Sequence, residues 1–167
     1  MPTNGHAAPS PFARSAPALQ DHSPGSCAHS HRVALACDDA FVEMLGAYRG
    51  GGGLAQADEV VALLERGGLA GIATLARWIV ERRVIHFEWL QQTWLPWFQF
   101  KRADHQPAPV LQAVFAELGS VYDGWEMALW FARPNSALSG GAPLQLIDVD
   151  ADSVLHAARA DRYIAKA

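Results

Sequence analysis

The chain has 167 residues, half of them hydrophobic and only 18% charged, with a formal net charge of −4. That length suits one domain, or two small ones behind a tail, and six tryptophans promise a sizeable core. An acidic body excludes sequence-blind nucleic-acid binding as the main task, because phosphates are held by an excess of Lys and Arg; a small basic face remains compatible.

Two cysteines, Cys27 and Cys37, do not frame a disulfide scaffold. No apolar run reaches the ~18 residues of a membrane span. Pro2, Pro9, Pro11 and Pro17 interrupt residues 1–20 and argue against a secretory leader. A cytoplasmic protein without a membrane partner is expected.

Residues 1–36 are rich in Ala, Pro, Ser and His and offer little to bury, which reads as a disordered tail. Cys27, His29, His31 and Cys37 are zinc-ligand types, but C-x-H-x-H-x5-C fits no standard structural zinc spacing. No metal and no other cofactor is expected.

From Asp38 the texture changes. "DDAFVEMLGAYR" places Phe41, Met44, Leu45 and Tyr48 at helical spacing behind two aspartates, and "GGGG" at 50–53 ends it. "AQADEVVALLERGG" follows, with Val60, Leu63 and Leu64 on one face. After a short turn "GIATLARWIVERR" predicts a second helix with Ile72, Leu75 and Ile79 inward, a pair resembling a helix-turn-helix. Then "VIHFEW" alternates, "LQQ" can turn, and "TWLPWFQF" supplies another β-prone run. Helix, turn, helix and hairpin make residues 37–102 winged-helix-like.

Residues 103–167 read as helical. Pro107 and Pro109 open "VLQAVFAELGSVY", in which Val110, Val114, Leu118 and Val121 keep a step of three to four residues. "GWEMALWFA" is apolar on almost every side and reads as an enclosed helix. The final helix, 151–166, buries Val154, Leu155 and Ala158 and turns Arg159, Arg162 and Lys166 outward.

Two chemistries compete for attention. In a helix-turn-helix the second helix enters the major groove, where Thr74, Arg77, Arg82 and Arg83 would meet phosphates or bases. The plain alternative pairs Arg77 with Glu81 four residues on, across a solvated face. Catalysis would have to use His86 or His156, with Asp148, Asp150 and Asp152 nearby. No nucleophile elbow, zinc-protease, P-loop or dinucleotide motif accompanies them, so a binding protein rather than an enzyme is expected. A pocket joining either imidazole to a carboxylate would reopen catalysis. Trp94, Trp97, Phe98 and Phe100 could form a stacking platform, but basic residues follow only at Lys101 and Arg102, so core packing is the better reading.

The segment "WFARPNSALSGGAPLQLI" decides between classes. Trp130 lies in a helix, Pro134 and Asn135 stop it, Leu138 precedes the Gly140–Gly141 pair, and Pro143–Leu144 restart the chain before a closing helix. This order resembles the C-terminal domain of the MbcA/ParS/Xre antitoxin family over residues 107–167. "PWFQF" at 96–100 is similar to the P-x-F-Q-F segment that often precedes that domain. The resemblance implies a helical toxin-binding domain and a partner toxin of the RES type, an NAD-consuming enzyme. Arg159, Arg162, Tyr163 and Lys166 at the chain end would contact that toxin. It also implies promoter binding through an N-terminal helix-turn-helix, which suits a homodimer on a palindromic operator. The alternative is a stand-alone transcriptional regulator without a toxin.

Overall fold

The computed structural model describes residues 38–167, so the expected tail at 1–36 and the Cys27, His29, His31 and Cys37 group lie outside the described residues. Among the described residues the chain is mainly helical with one small antiparallel sheet. Helix α1 covers residues 38–48 and buries Phe41, Met44 and Tyr48 on one stripe, while Leu45 points outward. A single 3-10 turn, Arg49–Gly51, follows.

Strand β1, Leu54–Gln56, leads directly into α2, Ala57–Arg66. The reading of 55–66 as helix from its start missed this strand. Three residues carry too little alternation to register, and their partner is forty residues away: Leu54 faces Pro96 and Gln56 faces Trp94. Gln56 and Glu59 then form a capping box that starts α2 cleanly. Helix α3 is Gly71–Val80. Strands β2, Phe87–Trp89, and β3, Gln92–Pro96, form a hairpin around Leu90 and Gln91, whose φ values of 48° and 59° match the mirror-image turns that suit strand twist. The sheet order is β1-β3-β2.

After a 3-10 turn at Trp97–Gln99 come α4, Pro109–Leu118, and α5, Gly124–Ala132. A 3-10 turn at Ser136–Leu138, the short α6, Pro143–Leu146, and the closing α7, Ala151–Lys166, complete the chain.

Several inward faces differ from expectation by one helical step. Ile72 is 71% exposed, because α3 turns Thr74, Leu75 and Trp78 inward and the indole of Trp78 is completely buried. Val110 also points out, since Leu111, Val114, Phe115 and Leu118 form the α4 stripe. In α7 the buried set is Val154, Ala157 and Ala158, and Leu155 is half-buried.

Two apolar clusters result. The smaller joins Val60, Leu64, Leu75, Trp78, Val84, Leu95 and Phe100 around α2, α3 and the sheet. The larger takes Phe41, Met44 and Tyr48 from α1 together with residues of α4, α5 and α7, so it runs across position 102. The Tyr48 hydroxyl donates to the Ala128 carbonyl at 2.7 Å inside it, and burial pushes that phenol far above its ordinary range. Phe98 packs against Phe131 at 5.1 Å and Trp94 against Phe41 at 5.1 Å, so this aromatic set is core material.

Among the described residues Gln99 and Thr74 are the buried polar ones, and Gln99 is the deeper. It is fully buried, accepts from the Ile85 amide at 2.6 Å and donates to the Ile85 carbonyl at 2.9 Å. One side chain thus satisfies both backbone groups of a residue that no strand partner reaches.

Candidate functional site

The turn between α5 and α7 is built from residue chemistry that allows little else. Asp123 and Glu126 cap the start of α5 reciprocally. The helix ends at Ala132, ahead of Pro134, which has no amide to donate. The Asn135 side-chain oxygen then accepts from the Ala137 amide at 2.9 Å and caps the 3-10 turn. Its backbone carbonyl accepts from Gly140, whose φ of +84° only glycine adopts without strain. Leu138 is buried, and Pro143, also buried, opens α6 at its first position. Leu144 packs half-buried against the larger cluster.

What this turn positions is α7. Trp130 Nε1 donates to Asp161 Oδ2 at 2.6 Å, and Asn135 Nδ2 donates to the same oxygen at 2.8 Å. Asp161 lies in α7, so one carboxylate ties the tryptophan helix, the Pro-Asn turn and the closing helix together. Asp150 caps α7 by accepting from Ser153, which holds its carboxyl below the ordinary value. The helix lies mainly along α4.

The four residues expected to meet a partner are arranged unequally. Arg159 and Arg162 reach back to Glu117 on α4, at 3.0 and 2.7 Å. Tyr163 is 76% and Ile164 70% exposed, and Lys166 is exposed with them. Arg159, Tyr163 and Lys166 share a helix face at i, i+4 and i+7. A shallow cavity of about 250 Å³ opens beside this region, lined by Tyr122, Leu129, Trp130, Arg133, Pro134 and Asn135. Burial and the nearby Asp161 and Glu126 carboxylates push the Tyr122 phenol up.

The expected DNA-reading set does not converge on one face. Thr74 is only 8% exposed and faces the core, so it cannot reach a groove. Arg77 is exposed on α3. Helix α3 ends at Val80, two residues short of the expected arginines. Arg82 follows with φ +54° and donates to the Gly119 carbonyl at 3.1 Å, and Arg83 lies 3.7 Å from Glu81. The helix stops there because Arg82 turns left-handed and Arg83 N bonds back to Trp78 O.

His156 is exposed on α7, and Asp148 and Asp152 are exposed near its start. His86 is half-buried beside Asp123, and burial holds its imidazole below the ordinary value against the opposing pull of Glu88. Among the described residues no hydrogen bond joins His86 to a carboxylate; Asp123 is occupied in capping α5. Two residues that organise the molecule, Gln99 and Asp161, were absent from the expected set. The buried Gln99 stood in the quoted "PWFQF", but a lone amide among aromatics carries no signal of its own. Asp161 looked like any acidic residue between two arginines.

No family model, no curated protein and no solved structure matches this chain.

Proposed function

We propose that this chain is an antitoxin-like binding protein that neutralises a partner toxin through its C-terminal helices. The observation that carries the reading is the Asp161 node. Trp130 and Asn135, two residues of the motif that resembles the antitoxin family, both end on one carboxylate of α7. That arrangement holds α7 at a defined angle while Tyr163, Ile164 and Lys166 stay exposed at its end. Tyrosine and arginine, here Tyr163 with Arg159 one turn before it, are residue types that interface centres favour. Inhibition is steric in this reading: α7 covers the substrate entrance of a RES-type, NAD-consuming enzyme, and no catalytic residue is needed from the chain itself.

The test is co-expression with the product of the neighbouring gene, read by co-elution on a sizing column. Removing residues 163–167 leaves Asp161 and both Glu117 ion pairs in place, so it should abolish co-elution without lowering the melting temperature. Co-elution that survives this truncation sinks the reading.

A second function, autoregulatory DNA binding, is favoured by one specific observation. The order α1-β1-α2-α3-β2-β3 with sheet order β1-β3-β2 is compatible with a winged-helix reading and supports it. Arg77 is then the residue of α3 that faces a groove, and Ala in its place should weaken retention of the chain's own upstream DNA. Salt-dependent DNA binding without a co-purifying enzyme favours the solitary regulator. A homodimer on a palindromic operator fits this reading.

A further inference from the structure

A cavity of about 210 Å³ lies where the segment after α3 meets the loop between α4 and α5. Ile79, Val84, Phe115 and Met127 give it an apolar wall, and Arg82 and His86 line it as well. We propose that this cavity is a binding site for a small carboxylate carrying an apolar body, with the Arg82 guanidinium as the anchor for its charge.

Three observations converge. Arg82, at φ +54°, is the left-handed residue that closes α3, and this cap sets its exposed side chain at the rim of the cavity. Its guanidinium gives one nitrogen to the Gly119 carbonyl, and among the described residues it has no carboxylate partner. Asp123 also lines the cavity, with one carboxylate oxygen on the Glu126 amide, and among the described residues it forms no ion pair with Arg82. A planar cation with spare donors beside an apolar wall matches a carboxylate attached to a ring or short chain. His86, whose imidazole burial holds below its ordinary value, also lines the site and can hydrogen-bond a ligand.

The walls come from both sides of the chain's midpoint, so a bound ligand would link the α3 segment to α4 and α5. This goes beyond partner binding by α7 and stands or falls separately from it.

The experiment uses the full chain labelled at the methionine methyl groups and titrated with benzoate, with uncharged benzamide as its shape-matched control. The Met127 methyl reports the cavity, while Met44, fully buried in the larger core, reports on the fold. Saturable movement of Met127 but not Met44 with benzoate, at least tenfold weaker with benzamide, supports the site. The variant R82Q should lose this response. I79F, which fills the cavity from a half-buried position, should lose it even if R82Q folds poorly. Absence of a saturable shift up to about 20 mM, a range that captures millimolar Kd values, overturns the proposal. So does equal binding of benzoate and benzamide, or wild-type binding by a folded R82Q or I79F.

Discussion

Replacing Asp161 by alanine removes the acceptor on which three elements meet. Trp130 Nε1 at 2.6 Å and Asn135 Nδ2 at 2.8 Å would both lose it, and both side chains are half-buried. Hydrogen bonds to a charged acceptor contribute about 1.5–3 kcal/mol each, and partial exposure puts these near the lower end. The expected loss is therefore about 3 kcal/mol. For a chain of this size each kcal/mol lowers Tm by about 2–4 °C, so the variant should melt roughly 6–12 °C below the parent. Asp161→Asn keeps one oxygen but not the charge and should fall between the two. Arg162→Ala serves as the control: it breaks a half-exposed ion pair with Glu117 and should lose less than about 1 kcal/mol. The assay is paired thermal and urea unfolding followed by circular dichroism. A D161A protein within about 0.5 kcal/mol of the parent, with an unchanged urea slope, would show that the node does not hold α7.

Gly140→Val places a β-branched residue at φ +84° and should destabilise by about 1–3 kcal/mol in the same melts; an unchanged Tm would mean the turn relaxes freely. Gly124→Ala should destabilise although alanine is the better helix former, because a Cβ there runs into the His86 carbonyl. A gain in stability would show that the two segments are not pressed together. Glu43 accepts hydrogen bonds from Arg133, first among the causes that hold its carboxyl below 4.5. A depressed carboxyl stabilises above its unfolded value and loses that contribution on acidification. Glu43→Gln should therefore melt slightly lower than the parent at pH 7, by less than about 1 kcal/mol, and the gap should close as pH falls from about 4.5 downward. A gap that persists at low pH would assign the effect to packing.

The parts legible in the sequence were those with local causes. The Pro134–Asn135 stop, glycine at position 140 and proline at the start of α6 each act within a few residues, and each appears where its chemistry places it. The mainly helical class and the hairpin followed from periodicity. What escaped was long-range. The short β1 exists only because β3 pairs with it, and α3 is rotated because Trp78 needs the space. Thr74 left the surface with that rotation, and Arg82 and Arg83 left the helix when it ended at Val80. Asp161 could not be singled out because both of its donors come from another helix and turn.

The α1 stripe has a consequence for how the chain is made. Tyr48 is synthesised eighty residues before Ala128, whose carbonyl receives its hydroxyl, and the α7 residues Val154, Ala157 and Ala158 of the same cluster come later still. Phe41 can meet Trp89 and Trp94 once the hairpin has formed, but the Tyr48 hydroxyl has no acceptor until α5 has emerged. Such non-local closure is slow relative to local helix and hairpin formation. During translation the α1 face is therefore covered in two stages, by the hairpin aromatics first and by α4, α5 and the first half of α7 last.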